Sequence, residues 1–225
     1  MTRPQSTSGP RLVLAALAIL IGLAALWIMV GSLMSPRAVY FPATPAEADY
    51  LHAEAKLATT AAEVGMIRGD LWATAAIAQA APALFGASPP PAQSDIEKMQ
   101  ALAARAATLS PHDSRMWLLL AGLQSRLGAG NAKIAELLKL SYYTGPDVLS
   151  LVPLRLLLAV SSNAIADDEL LSLVELDIQH IVAQRPDLKQ AIALAYKNAL
   201  PKGRQIVEAT LKKIDPGFLA TIRAQ

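Results

Sequence analysis

Apolar residues are arranged in two ways in this sequence. Residues 12–34 form one continuous apolar segment, without a charged residue, Pro, Asn or Gln, directly after Arg11. At about 1.5 Å of rise per residue, a helix of this length reaches roughly 34 Å, which exceeds a bilayer core of about 30 Å. The segment therefore predicts a transmembrane helix. Beyond it, apolar residues recur in short amphipathic stretches, which predict a body built from helices.

The arginines around the apolar segment predict its orientation. Arg3 and Arg11 precede it and Arg37 follows it, so the positive-inside rule keeps residues 1–11 in the cytoplasm as a short tail. The body then lies outside the cytoplasm, in the periplasm of a Gram-negative cell, on a single-pass protein of the inner (plasma) membrane. The alternative is a cleaved signal peptide, whose apolar region is shorter, about 7–15 residues, and ends in a small-residue cleavage site. The length of the segment favours an uncut signal anchor.

Pro, Gly and capping residues divide the remaining chain into units. The predicted divisions are an extended spacer (35–43), an N-terminal helical hairpin (44–85), a Pro-rich linker (86–93) and a helical domain (94–225). Capping boxes that begin at Thr44 and Ser94 predict the starts of the first helix in the hairpin and in the domain. The hairpin is predicted to break near Gly65 and Gly69. No stretch alternates with period two between turn residues, so the fold class is predicted to be all-α.

Turn residues divide the helical domain further. Gly and Pro separate its apolar stretches at short intervals, which is typical of helices joined by tight turns. The helices predicted after the first one of this domain lie near 113–127, 131–143, 148–161, 167–184, 187–199, 203–213 and 216–223.

One stretch of the helical domain has a characteristic spacing of large and small residues. The spacing joins Pro111, Trp117, Leu120, Ala121 and Gly128. It resembles the tetratricopeptide repeat, in which small residues let antiparallel helices approach and Trp and Leu fill the gap to the next hairpin. The resemblance covers residues 94–145 and implies stacked antiparallel helical hairpins. It fades further along the chain, and an ordinary helical bundle with Trp117 in its core is the alternative.

A second resemblance lies in the C-terminal half. It rests on the segments 141–146, 154–156, 185–186 and 215–218, which read SYYTGP, LRL, RP and DPGF. They are similar to segments of small membrane-anchored proteins associated with bacterial polysaccharide synthesis and export. This resemblance implies an accessory role in an envelope assembly and brings no catalytic residues with it.

Composition narrows the classes of function. The chain has no Cys, which excludes disulfides and Cys-based metal sites or nucleophiles. Its net charge of +2 gives no indication of nucleic-acid binding. Acidic residues are concentrated in 163–184 and basic residues in 185–225. Either these neighbouring segments complement each other, or the basic C-terminal segment contacts anionic lipid or an acidic partner.

Residues that could carry chemistry do not form a known catalytic or metal-binding arrangement. The histidines are far apart and lack zinc-site spacing: His52, His112 and His180. The acids Asp167, Asp168 and Glu169 lack the spacing of a calcium loop, and acids in a first helical turn complement the helix dipole. We therefore predict no catalytic residue, metal or cofactor, and no enzyme activity. A cell-wall glycan enzyme with one general-acid Glu is an alternative.

Partner contacts are the function that the sequence favours. Tyr142 and Tyr143 are adjacent, so on a helix they point about 100° apart and at most one is expected to be buried. We predict a partner-binding surface at Tyr142, Tyr143, Arg155 and Arg126. The predicted function is a membrane-tethered protein–protein scaffold in an envelope complex, held in lipid by residues 12–34 and making no contact with nucleic acid. Polysaccharide assembly is the first choice of complex. A translocon-associated or cytochrome-maturation chaperone and a purely structural spacer are the alternatives.

Overall fold

The computed structural model describes residues 8–36, 41–42, 45–84 and 90–224. Over these ranges the chain forms twelve α-helices and no strand, which confirms the all-α prediction. The helices are α1 (Ser8–Met34), α2 (Pro45–Ala53), α3 (Ala55–Gly65), α4 (Gly69–Leu84), α5 (Gln93–Leu109), α6 (Ser114–Arg126), α7 (Asn131–Thr144), α8 (Val152–Val160), α9 (Asp168–Gln184), α10 (Lys189–Lys197), α11 (Pro201–Ile214) and α12 (Pro216–Arg223). Short 3-10 turns come before α8, α9 and α10, at Leu149–Leu151, Asn163–Ala166 and Pro186–Leu188.

Several predicted features fall wholly or partly outside the described residues. These are the tail with Arg3, the middle of the spacer with Arg37, the cap at Thr44, the last residue of the predicted hairpin at position 85, and residues 86–89 of the Pro-rich linker.

The prediction that Ser94 caps α5 is wrong. The helix begins at Gln93, and Ala92 is its N-cap, with extended backbone angles. Pro91 stands directly before Ala92. The carbonyl of Ala92 accepts hydrogen bonds from the amides of Asp95 and Ile96, so the first turn closes before Ser94 could cap it.

The N-terminal helix is long and apolar enough to cross a membrane. The candidate span is Pro10–Met34, and none of its most apolar window is buried by the rest of the chain. Large side chains such as Leu14, Leu20 and Leu33 are exposed along it. A helix that is apolar on all sides and uncovered by protein has the surface expected of a lipid-facing span.

The last turns of α1 pack directly against α3 and the turn after it. The indole N–H of Trp27 donates to the carbonyl of Val64 at 2.7 Å. Arg68 donates from Nη1 to the carbonyl of Ile28 at 3.1 Å and to Ser32 Oγ at 2.7 Å. A Cβ on Gly31 would lie 3.2 Å from a methyl of Leu71, so glycine permits this close approach. The helical body is therefore docked on α1.

A single long helix predicted from residue 44 to about 64 is interrupted at Glu54. The backbone there has ψ near 0°, and the Glu54 amide bonds to the carbonyl of Leu51, three residues back. Such a tightened turn changes the direction of the axis. Leu51 on α2 and Ala55 and Ala58 on α3 are buried on the two sides of the break.

Helix α4 is at the centre of the N-terminal half. It packs against α2, α3, α5 and α6, and most of its side chains are buried. Because many of these side chains are alanine, neighbouring helices can approach on several sides. Trp72 is the large exception. Its ring is buried, its N–H donates to the carbonyl of Met66 at 2.8 Å, and the guanidinium of Arg105 lies 3.7 Å from the ring centre.

Helices α6 and α7 pack against each other and are joined by residues 127–130, so they run antiparallel. The connection turns at Gly128, whose φ of +73° is in the left-handed region that glycine adopts without steric cost. The assignment of this pair to a tetratricopeptide unit stays a prediction. Trp117 on α6 is partly buried rather than enclosed in the core, and its N–H donates to the carbonyl of Pro111 at 2.7 Å.

The first turn of α11 lies against the backbone at the end of α8. The Leu200 amide donates to the carbonyl of Val160 at 2.9 Å. A Cβ on Gly203 would lie only 2.2 Å from that carbonyl oxygen and 2.8 Å from the Val160 Cα. Since these atoms belong to the backbone, no side-chain rotation can make room for a methyl group.

We therefore expect Gly203→Ala to lower the free energy of unfolding by about 1–3 kcal/mol, as overpacking of a well-packed site does. The measurement is urea unfolding of the full chain in detergent, followed by far-UV circular dichroism. Gly217→Ala is the matched control, because the nearest atom to its Cβ lies 3.7 Å away. Alanine usually stabilises a helix relative to glycine, so the control is expected to be neutral or slightly stabilising. Equal effects of the two variants would contradict the assigned contact.

Candidate interaction surfaces

Arg155 lies at the centre of a buried polar network that joins α7 and α8. Its Nε donates to Ser141 Oγ at 3.0 Å, and its Nη2 donates to the carbonyls of Ser141 and, at 2.9 Å, of Gly145. These carbonyls are at the C-terminal end of α7, where the helix dipole favours a cation. Ser141 Oγ in turn donates to the carbonyl of Ser114 at 2.9 Å. Arg155 therefore caps α7 from inside the core.

Tyr142 extends this network to α9. The Arg155 guanidinium lies 4.6 Å from the centre of the Tyr142 ring, and the Tyr142 hydroxyl donates to Asp177 Oδ2 at 2.8 Å. Burial raises the pKa of the Asp177 carboxyl and, together with that carboxylate, raises the pKa of the Tyr142 phenol. Burial also lowers the pKa of Arg155 below its ordinary value. The three groups connect three helices through one cation, one ring and one carboxyl group.

The structure separates the predicted partner-binding residues into two pairs. Arg155 and Tyr142 are buried, so they are not surface contacts in this conformation. The Arg155 guanidinium caps α7 inside the protein, and the Tyr142 hydroxyl donates to Asp177. Tyr143 and Arg126 are exposed and remain candidates.

Tyr143 belongs to a charged cluster between α7 and α9. Its hydroxyl donates to Glu169, and Lys139 Nζ lies 3.0 Å from both Asp167 Oδ2 and Glu169 Oε2. Hydrogen bonds from Tyr143 and Lys139 lower the pKa of Glu169, and the bond to Glu169 raises the pKa of the Tyr143 phenol. The cluster fixes the hydroxyl and leaves the ring on the surface.

Arg126 lies at an apolar groove of about 320 Å³. The groove is formed by ends and faces of α4, α6, α8 and α10, and its leucines are Leu84, Leu154, Leu157, Leu158 and Leu194. A Cβ on Gly122 would lie 2.5 Å from a methyl of Leu84, so glycine at this position lets the Leu84 side chain pack against α6. The groove offers aliphatic contacts with an arginine beside them.

A second cleft, of about 610 Å³, lies between α10, α11 and α12. Leu194 lines this cleft as well as the groove. Its other lining residues include the basic side chains Lys197, Arg204 and Arg223 and the rings of Tyr196 and Phe218. The two depressions therefore meet at Leu194, which is 53% exposed. Together they form a mixed surface of leucines, aromatic rings and polar or basic residues, which we call the Leu194 surface.

Ion pairs of the C-terminal basic segment run within that segment. Lys189 pairs with Asp215 at 2.7 Å, and Arg223 pairs with Glu208. Three acids of the preceding segment contact α7 instead: Asp167 and Glu169 pair with Lys139, and Asp177 accepts from Tyr142. Glu175 accepts from the Thr210 hydroxyl of α11 at 3.5 Å. The uneven distribution of charge in the sequence is therefore not paired directly from one segment to the other in these contacts.

Asp168 and Glu169 lie in the first turn of α9, as predicted, and Asp167 in addition caps the helix. Asp167 accepts a hydrogen bond from the Leu170 amide at 2.9 Å. Within the part of the chain that the structure describes, no group of three or more potential ligands is arranged to hold a metal ion. His52 lies 3.3 Å from the carbonyl of Ala78.

Comparisons with known proteins give no relative on which function could be based. No protein-family model matches the chain, and no curated protein or solved structure matches it. The fold and surfaces define the class only as an all-helical protein with one apolar N-terminal helix docked on a helical body.

Sequence reasoning missed most of the Leu194 surface. Arg126 is predicted from the sequence to bind a partner, and the basic segment 185–225, which contains Lys197, Arg204 and Arg223, is one candidate contact for an acidic partner. The leucines of the groove come from three helices, α4, α8 and α10, and along each helix they read as ordinary core positions. Residues 191–200 read AIALAYKNAL, in which Leu194 is one apolar residue among several, so the sequence carried no signal of its exposure.

Proposed function

We propose that this protein is a membrane-tethered scaffold that binds a partner protein at the Leu194 surface. In this proposal α1 crosses the membrane, its N-terminal end is cytoplasmic, and the helical body is on the other side. The observation that carries the proposal is the exposed Leu194, where an apolar groove and a basic, aromatic cleft meet. An exposed contiguous apolar surface with a polar rim is typical of a protein-binding site.

The chemistry of the surface indicates the kind of partner. Leucines in the groove suit the apolar face of an amphipathic helix or an extended apolar segment. Arg126 and Lys197 lie at or near the edges of the same surface, which favours acidic residues beside the apolar contacts. The stack of antiparallel helices that the tetratricopeptide resemblance implies would offer such a surface for peptide binding.

The envelope complex is proposed from the second resemblance. Segments similar to accessory proteins of polysaccharide synthesis and export make polysaccharide assembly the first choice. Chaperoning next to a translocon or in cytochrome maturation is the alternative, because tethered helical repeats suit that role as well.

The test is crosslinking of the tagged full chain in intact cells, followed by extraction in mild detergent and identification of the proteins that co-purify. We expect Leu194→Asp to abolish recovery of the partner, because it places a charge where apolar contacts are made. Leu176→Asp is the matched control, since Leu176 is 60% exposed on α9, away from the Leu194 surface. Both variants should retain the abundance of the unmodified protein.

Two outcomes would overturn the proposal. If the unmodified chain is recovered alone in repeated experiments, a structural spacer or an enzyme becomes the better explanation. If both substitutions reduce partner recovery equally, the partner does not bind at the Leu194 surface. Recovered proteins of polysaccharide assembly, of a translocon or of cytochrome maturation would each identify the complex.

A further inference from the structure

The turn between α3 and α4 lies beside the membrane end of α1. It carries Met66 and Ile67, which are 59% and 71% exposed. The residues on either side are held against α1, because Val64 accepts the Trp27 bond and Arg68 donates to Ile28. The turn is therefore fixed at the level of these α1 residues.

That level can be placed along the membrane normal. At about 1.5 Å per residue, Leu12 to Trp27 covers about 22 Å and Leu12 to Ser32 about 30 Å. A hydrocarbon core of about 30 Å that begins at Leu12 ends near Ser32. The contact of Arg68 with Ser32 thus lies at the outer boundary of the hydrocarbon core, and the contact of Val64 with Trp27 lies about 8 Å inside that boundary.

We propose that Met66 and Ile67 insert into the outer interfacial layer of the bilayer that α1 crosses, so that the helical body lies on the membrane surface. This inference rests on the spanning role of α1 in the proposed function. Lipid is the occupant that fits, because the exposed pair continues directly from the lipid-facing surface of α1. An exposed Met-Ile pair in a short turn also gives little area for a protein partner.

The polar side chains that join the turn to α1 are hydrogen-bonded within the protein, which suits a position beside an apolar layer. The Trp27 N–H is bonded to Val64, and Ser32 Oγ donates to the Ile28 carbonyl while accepting from Arg68. Arg68 also pairs with Asp70 at 2.5 Å, and this bond holds the pKa of the Asp70 carboxyl below its ordinary value. Arg68 is therefore partnered by Asp70 and by α1 beside the apolar layer.

Site-specific fluorescence tests the insertion. The chain has no Cys, so single-cysteine variants of the full protein can carry one environment-sensitive dye each. The positions are Ile67→Cys in the turn, Leu20→Cys in the middle of α1, and Leu176→Cys on α9. The labelled proteins are reconstituted in phosphatidylcholine–phosphatidylglycerol vesicles, some with a nitroxide quencher near the headgroup and some with one deep in the acyl chain.

We expect the dye at position 67 to be quenched several-fold more by the shallow nitroxide than the dye at 176, and to emit at shorter wavelength. The dye at position 20 should respond most to the deep nitroxide. If the dye at position 67 is quenched no more than the dye at 176 while the dye at position 20 is quenched, the proposed insertion is wrong and the spanning role of α1 is supported. If position 20 is not quenched, α1 does not span, and both the tether and the insertion are overturned.

Discussion

Replacement of Arg155 by alanine is expected to lower the free energy of unfolding by about 3–5 kcal/mol, the range for removing one member of a buried charged network. Arg155 is fully buried, and it donates to Ser141 Oγ and to the last carbonyls of α7. Alanine would leave these acceptors without their donor. It would also leave a cavity between α7 and α8 and remove the cation from the Tyr142 ring.

The stability lost in Arg155→Ala comes from the unpaired carbonyl and hydroxyl acceptors as much as from the loss of the guanidinium charge. Within the described residues, Nη1 of Arg155 has no hydrogen-bond partner, so the arginine is an imperfect solution to capping α7 from the core. The other two guanidinium nitrogens, Nε and Nη2, donate to Ser141 and Gly145 at the C-terminal end of α7. Lysine has one charged nitrogen and cannot reproduce this fork, so Arg155→Lys is expected to recover only part of the lost stability.

The measurement is urea unfolding of the full chain in detergent, followed by far-UV circular dichroism. Arg126→Ala is the control, because it removes the same side chain from an exposed position. We expect the control to change stability by no more than about 0.5 kcal/mol. A loss for Arg155→Ala as small as that of the control would show that the network does not hold α7 and α8 together.

The helices could be predicted from the sequence because turn residues and caps act locally. Gly128, Pro186 and Pro201 each end or begin a helix through their own backbone geometry, and Asp167 caps α9 through a bond to the amide three residues ahead. Ser94 shows the limit of such reasoning. It has the right residue type for an N-cap, but the helix had already begun at Gln93.

The burial of Arg155 could not be predicted from the sequence, because it depends on acceptors brought together by three helices. A lone arginine between two leucines reads as a surface residue on an amphipathic helix. Its environment is set by the end of α7, ten residues or more away along the chain. The same reason explains why Tyr142 and Tyr143 were left as alternatives. Adjacent positions determine that they point apart, and only packing determines which one faces Asp177.

The two tryptophans near the starts of α4 and α6 make the same local hydrogen bond but differ in how deeply they are buried. Trp72 and Trp117 are each the fourth residue of their helix, and each indole N–H donates to a carbonyl six residues back. The repeat spacing in the sequence predicts a core position for Trp117. The structure shows that Trp72 is the enclosed one, because α5 covers it with Arg105.

We therefore expect Trp72→Ala to lower the free energy of unfolding by about 3–5 kcal/mol, the usual cost of removing a large buried aromatic side chain. Trp117→Ala is the matched control, with the same substitution and the same lost hydrogen bond to the preceding turn. It is expected to cost about 1–2 kcal/mol, because only part of its ring is removed from water. Urea unfolding of both variants in the same detergent measures the difference. A larger loss for Trp117 would mean that α6, not α4, is the helix around which the body packs.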